Sequence, residues 1–278
     1  ELMDPRPFLQ GDIFDSVMHY QWYKPARRLF AQAEGGDKPS DFIAEMNRVY
    51  AGYSPAQTQN LMNLVASHDS PRFGTSFQNK HKYKFRMGAR GNKDLKLGPP
   101  DADVIREMRM MLLHQFTFTS APHIWSGDEL GMWGADDPDC RKPLLWDDVE
   151  HRPQVFAPDG SRHDPVPVKP DTAMFNYIKN LTTLRKERPD WTRGSLQFMV
   201  ANDNAMTLAY RRDGDNHRSV IAFNFSDEPR EFRLAIGLTN DAETLSMTQK
   251  GAVISLKTMD SRMKLELAPR SGAVVNLK

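Results

Sequence analysis

Residues Asn63 to Phe73 read NLVASHDSPRF. Leu61 to Val65 is a short apolar run that narrows through Ala66-Ser67 into His68-Asp69. Pro71 stops the strand from continuing. The pattern predicts a buried parallel strand that delivers an imidazole and a carboxylate at its C-terminal tip. In α/β barrels that tip is the mouth of the active site. Taken alone, a His-Asp pair reads as a surface pair or a local cap rather than a catalytic one.

Outward from this stretch the alternation of element types supports the same fold class. Ile13 to Tyr20 is β-compatible, and Lys24 to Ala33 and Asp41 to Tyr50 have helical spacing. Ser54 to Asn60 reads as a connector into the central strand, Leu61 to Ser67. Asp101 is placed to cap a helix whose apolar side is Val104, Ile105, Met108, Leu112 and Phe116. Met108, Met110 and Met111 read as core filler. Pro122 to Trp125 is the next short strand, with Ser126 to Glu129 as its turn. Asp171 opens a further helix that closes before Pro189. Strand and helix alternating in this way predict parallel α/β architecture.

Two stretches lack periodicity. Gln78 to Leu97 is rich in Lys, Arg, Asn and Gly and reads as a solvated surface loop, with a lid over the barrel mouth as the lesser alternative. Gly131 to Pro170, rich in Asp, Pro and Trp, reads as a functional loop excursion. From Ser195 the apolar period changes to two. Met206, Leu208 and Tyr210 alternate, as do Ile221, Phe223 and Phe225, and later Met263, Leu265 and Leu267. Asp213-Gly214 is a hairpin signal between the first two sets. This tail predicts an antiparallel β-sandwich.

The composition narrows the function classes. Lys and Arg total 37 against 36 Asp and Glu, so net charge +1 gives no electrostatic case for nucleic acid or an anionic membrane. A neutral, hydroxyl-rich ligand suits that balance. Cys140 is the single cysteine, so no intrachain disulfide can form, and both a reducing compartment and a periplasm stay open. Arg141 beside it could activate the thiol, although no His-Cys pattern accompanies it. The eight histidines show no metal-ligand spacing. No apolar run is long enough to span a membrane. The start, Glu-Leu-Met-Asp-Pro, shows no signal segment and reads as the middle of a larger protein.

The stretch NLVASHDSPRF resembles the fourth conserved region of the α-amylase superfamily, glycoside hydrolase family 13. GDIFDSVMHY at Gly11 to Tyr20 and APHIWSGDELGMWGADDPDCRKPLLWDD at Ala121 to Asp148 resemble the same family in the same order. The resemblance leans toward its cyclomaltodextrinase/neopullulanase branch. It implies an α/β fold comprising the C-terminal portion of a TIM (β/α)8 barrel, strands 6–8, over residues 1–192. An antiparallel β-sandwich would follow over 193–278.

What the resemblance implies about chemistry is specific. Retaining glycosidases use a nucleophile and an acid/base carboxyl about 5 Å apart. A third carboxylate steadies the oxocarbenium-like transition state. The family assigns that third role to Asp69, and assigns His68 as a hydrogen-bond donor to the same sugar ring. Its Asp-Pro-x-x-Arg element falls on Asp137 and Arg141, expected to bind glucose units beyond the cleavage point. Without the family, an Asp and an Arg four apart would read as a surface ion pair. Trp125, Trp133 and Trp146 flank this loop, and their rings could stack on sugars or pack in the core.

The family's Gly-x-Arg-x-Asp nucleophile motif and its Asp-x-x-x-Asn-His motif do not occur in this sequence. Glu1 lies near the place of the acid/base, but its surroundings do not match, and it is not assigned. His19 stands where the family has Asn, and Ser126 where it has Tyr, both expected near the mouth. The expected partners are an α-glucan and the missing N-terminal part of the same enzyme. No cofactor is expected of this chain, and any calcium site would fall in that missing part. The activity implied is hydrolysis of α-1,4-glucans. A glucanotransferase or isomerase of the same superfamily, or a non-catalytic glucan-binding fragment, is the alternative. A metal-dependent hydrolase built on His68 and Asp69 is the remotest.

Overall fold

The computed structural model describes residues 3–88, 92–157, 159–237 and 241–278; Glu1 lies outside them. Three short parallel segments lie side by side at the centre of the first part of the chain. Met18 bridges to Met62 in parallel, and β1 (Met62–Leu64) pairs in parallel with β2 (Ala121–His123). Helices α1 (Tyr20–Phe30), α2 (Pro39–Tyr50) and α3 (Pro55–Asn60) connect the first segment to β1. Helices α4 (Phe73–Gln78) and α5 (Ala102–Thr117) connect β1 to β2. This is α/β connectivity, as the sequence predicts.

The local causes are clear at the caps. Asp101 accepts from the N–H groups of Asp103 and Val104 and starts α5. Asp171 accepts from Ala173 and Met174 and starts α6 (Thr172–Glu187). Ser54 and Gln57 satisfy one another's backbone donors in a capping box, so the expected connector is a short helix instead. Met108, Met110 and Met111 are buried, as expected of core filler.

Two expectations fail. Ile13 to Tyr20 forms no continuous strand, because Ile13 and Phe14 are over half exposed and only Met18 pairs. The first helix begins at Tyr20, not Lys24, with Pro25 inside it. Trp22 and Tyr23 are fully buried there, and their packing outweighs the lost hydrogen bond at the proline.

The long loop after β2 carries a small hairpin, β3 (Gln154–Phe156) with β4 (Arg162–Val166). After α6 comes the short helix α7 (Pro189–Thr192). Among the described residues eight strands follow: β5 (Ser195–Asn202), β6 (Thr207–Asp213), β7 (Arg218–Asn224), β8 (Arg230–Ala235), β9 (Ala242–Met247), β10 (Val253–Met259), β11 (Arg262–Leu267) and β12 (Ser271–Leu277). They form an antiparallel five-stranded sheet in the order β5-β6-β7-β12-β9 and a three-stranded sheet in the order β10-β11-β8.

Period-two patterning explains how the five-stranded sheet serves two cores. Ala209, Val220, Ala222, Ala273 and Val275 face Phe232, Leu234, Met263 and Leu265 of the smaller sheet. Leu208, Tyr210, Ile221, Phe223 and Val274 point the other way and join a core containing Trp22, Phe30, Phe42 and Phe118 of the helical part. At the junction, Arg188 donates to Asp190, Asn276 and Ser219, while Arg212 donates to the carbonyls of Asp190 and Trp191.

A buried polar chain crosses the same boundary. Trp22 Nε1 donates to His114 Nε2 at 3.4 Å, which leaves the proton on Nδ1 to be donated to the Tyr210 hydroxyl at 3.1 Å. That hydroxyl and Thr117 Oγ1 lie 2.7 Å apart, and Thr117 donates to the Leu113 carbonyl. Every member is satisfied, and burial holds the His114 imidazole well below its ordinary value, hence neutral.

Candidate active site at the tips of the parallel strands

Immediately past β1 the chain tightens into a turn built by serines. Ser67 N donates to Ser70 Oγ at 2.8 Å, and Asp69 N donates to Ser67 Oγ at 3.0 Å. Ser67 and Ser70 are buried, while His68 and Asp69 keep side-chain exposures of 42% and 55%. The turn therefore presents both expected groups to solvent from a fixed backbone. His68 Nε2 lies 3.2 Å from Asp69 Oδ2.

The loop after β2 comes to the same place. Arg141 Nε donates to Asp137 Oδ1 at 2.5 Å, and Arg141 Nη2 donates to Asp69 Oδ1 at 3.3 Å. The four residues singled out in the sequence, His68, Asp69, Asp137 and Arg141, thus form one contiguous cluster. The Asp137 hydrogen bond holds the Arg141 guanidinium above its ordinary value. A fixed, exposed cation beside two carboxylates suits a neutral, hydroxyl-rich ligand, with acceptors and donors alternating over a short distance.

Backbone stitching fixes the loop against the turn. Arg72 N donates to the Gly134 carbonyl at 3.0 Å, and Gly134 N donates to Thr75 Oγ1 at 3.0 Å. A Cβ at Gly134 would meet the Asp139 carbonyl oxygen at 2.7 Å, so only glycine permits this approach. Cys140 Sγ lies 3.3 Å from the His68 carbonyl, and Trp125 Nε1 donates to the Cys140 carbonyl. Burial pushes the Cys140 thiol up to about 11, with Asp137 and Asp136 adding to the effect. The activation by Arg141 entertained from the sequence does not occur, because desolvation outweighs the nearby cation.

Beneath the mouth lies a buried ion pair. Arg72 and Asp128 are almost wholly buried, with Nη1 and Oδ1 3.2 Å apart, and Arg72 also donates to the Ser126 carbonyl. Burial pushes the Asp128 carboxyl up to about 7, against the pull of Arg72 and of the Phe73 N–H. The Arg72 guanidinium sits over the Trp125 ring, and Trp125 in turn faces His68 with centroids 6.0 Å apart. This pair underpins the site without facing solvent.

Two residues that sequence reasoning passed over belong to the mouth. Of the stretch Gln78 to Leu97, expected to be solvated, residues 89–91 lie outside the described residues, and the part before them is tied down: Asp136 N donates to the Met87 carbonyl at 2.9 Å, and Met87 and Lys84 are buried. Lys84 Nζ lies 4.1 Å from the Tyr20 ring, and Tyr20 OH lies 2.6 Å from Ser67 Oγ. Asp136 is half-buried and raised by desolvation, with Lys84 acting against that shift.

Other expected positions divide. His19 is buried rather than near the open mouth; its Nδ1 lies 2.8 Å from Asn63 Oδ1, and burial lowers it to about 4. Ser126 is exposed. Trp133 is buried, Trp125 is partly buried, and Trp146 is 60% exposed, so core packing does not describe Trp146. Among the described residues no group of three or more His, Cys, Asp or Glu is placed to hold a metal ion. Among them, too, no helix is long and apolar enough to cross a membrane.

Comparison with known proteins follows the same lines. The family described as "Alpha amylase, catalytic domain" matches residues 2–194. A cyclomaltodextrinase of Geobacillus thermopakistaniensis is 29% identical over 84% of this chain and 32% of its own length. Neopullulanase 2 of Thermoactinomyces vulgaris is 31% identical over 80% of this chain and 30% of its own length. This chain thus spans about a third of the curated relatives it matches. A solved cyclomaltodextrinase structure superposes over 98% of this chain and 38% of its own, with TM-score 0.72 and 21% identity. A debranching enzyme from Nostoc punctiforme gives TM-score 0.70 at 20% identity over 99% of this chain and 50% of its own.

Proposed function

The chain belongs to the α-amylase family, and from that premise we propose that it supplies part of the active site of a retaining hydrolase of α-1,4-glucans. Maltodextrins, cyclodextrins, starch and pullulan are the substrate class. The observation that carries the reading is the convergence of Asp69, His68, Asp137 and Arg141, drawn from two loops 72 residues apart, at one exposed point.

In this reading Asp69 stabilises positive charge developing on the sugar ring, and His68 donates to a hydroxyl of the same ring. Asp137 and Arg141 grip glucose units beyond the cleavage point. The Met18 segment, β1 and β2 are strands six to eight of a (β/α)8 barrel within residues 1–192, and the two antiparallel sheets of 193–278 form a β-sandwich. The nucleophile and acid/base come from chain outside these 278 residues, since the motif that would carry the nucleophile does not occur in them. No cofactor is needed by the groups present, and any calcium belongs with that outside segment.

The test is Asp69→Asn in the complete enzyme, with turnover of maltoheptaose measured. The expected loss in kcat is about 10²–10³-fold, as for other groups that stabilise developing charge. Unchanged turnover with weakened glucan binding would instead make this a binding fragment. Products from maltotriose separate hydrolysis from transfer: longer oligomers or an isomeric disaccharide mean a transferase or isomerase.

A further inference from the structure

Trp125 stands just past the end of β2, where the loop that carries Asp137 and Arg141 begins. Its ring and its N–H are both engaged by other parts of the mouth. The Arg72 guanidinium lies over the ring, 6.0 Å from its centroid. The His68 ring lies beside it, with centroids 6.0 Å apart and planes tilted by 51°. Trp125 Nε1 donates to the Cys140 carbonyl at 3.2 Å, across 15 residues of chain.

Cys140 closes the circuit from the other side. It is fully buried, and its Sγ donates to the His68 carbonyl at 3.3 Å, across 72 residues of chain. The turn after β1 and the loop after β2 are thus tied twice, and both ties converge on His68. The exposed contacts alone orient little. His68 lies 3.2 Å and Arg141 3.3 Å from Asp69, but all three side chains are about half exposed. A pair of that kind does not hold an imidazole in one rotamer. The indole wall does, because it is itself pinned. Arg72 donates to the Ser126 carbonyl at 2.8 Å and to Asp128 Oδ1 at 3.2 Å, so the ring rests against a buried, hydrogen-bonded cation.

We propose that Trp125 is a positioning residue: it fixes the His68 imidazole against the loop bearing Asp137 and Arg141, so that the two halves of the cluster grip one glucan chain together. This rests on the glucan reading above and deepens it by dividing the work of one side chain. The ring orients His68, which meets the reacting sugar, so its loss falls on kcat. The N–H anchors the loop that binds the units beyond, so its loss falls on KM.

Two substitutions separate these tasks in the complete enzyme. Trp125→Phe keeps a ring and deletes the N–H, whereas Trp125→Leu deletes both. With maltoheptaose, Trp125→Phe is expected to raise KM about two- to tenfold with kcat within about twofold of the parent. Trp125→Leu should in addition lower kcat by about tenfold. In an Arg141→Ala background Trp125→Phe should raise KM by less than it does alone, because it acts through that loop. Cys140→Ala and Cys140→Ser test the same tie without touching the ring. Alanine should raise KM, and serine, which keeps a donor for the His68 carbonyl, should restore it. Parent kinetics in the Trp125 variants or in Cys140→Ala, or an additive double variant, overturn the proposal. So does a lowered Tm with an unchanged KM, the result of a purely structural role. Asp69→Asn separates this from the hydrolase reading. If it abolishes turnover while both Trp125 variants keep parent kinetics, the hydrolase stands and the positioning role fails. If it leaves turnover intact while the Trp125 variants weaken maltoheptaose binding by calorimetry, the positioning role stands and the chemistry proposed for Asp69 fails.

Discussion

The mouth cluster and the polar groups beneath it use the same side chains to opposite ends. At the mouth, His68, Asp69, Asp137 and Arg141 are each about half exposed and touch one another through long or solvent-facing contacts. Asp128 with Arg72 beneath it, and His114 with Tyr210 at the boundary with the five-stranded sheet, are enclosed. An imidazole or carboxylate in water is worth little to stability and is free to act on a ligand. The same group in the core must be satisfied by its neighbours and is costly to disturb. Position relative to the strand tips, not residue type, divides the exposed groups from the enclosed ones.

The largest effect that could break this contrast lies at Asp128. Replacing Asp128 by Ala leaves the Arg72 charge buried and unpaired, and should cost about 3–5 kcal/mol of stability. Urea unfolding checks it, and a loss below about 1 kcal/mol would mean that Arg72 finds water or another partner. Asp69→Asn should do the reverse. Its folding free energy should move by no more than about 0.5 kcal/mol, while the turnover loss given above is retained. A large destabilisation there would place Asp69 in the supporting set.

The next effect is set by the buried imidazoles. The ordinary histidine value is 6.5, whereas folded His19 lies at about 4 and His114 well below its ordinary value. Between those limits the unfolded chain binds protons that the folded chain refuses, so stability rises with pH. Each such histidine should steepen the dependence by up to about 1.4 kcal/mol per pH unit between roughly pH 4 and 6.5. His19→Asn should flatten that slope in chemical denaturation across the range. Equal slopes in parent and His19→Asn proteins would contradict the burial argument.

The smallest effect is at Arg141. As an exposed pair with Asp137 and Asp69, it should contribute only about 0.2–1 kcal/mol to stability. Arg141→Ala should nevertheless raise KM for maltoheptaose, and an unaltered KM would remove Arg141 from the binding set.

Much of this division was legible in the sequence. Asp101 and Asp171 announced their helices because a cap needs only a local carboxylate and a following apolar period. The alternation through Leu208, Tyr210, Ile221 and Phe223 announced strands, since one face of each had to be buried. His68, Asp69, Asp137 and Arg141 were found through long motifs, and their meeting depends on tertiary closure that spacing alone does not encode. What stayed hidden was non-local. Ile13 and Phe14 are strand-like but have no strand partner among the described residues, so propensity misled. Lys84 and Asp136 became part of the mouth only because an irregular loop was drawn down by contacts from other elements.

One of those contacts reaches beyond the site. Arg27 is fully buried in α1, and its Nη2 reaches the carbonyls of Ser76, Asn79 and Lys82. The guanidinium is thus the tether of the long polar excursion, and the excursion is the solvation shell of the guanidinium. Neither can be trimmed without cost to the other: a shorter crossing here would leave a buried cation without its carbonyl acceptors.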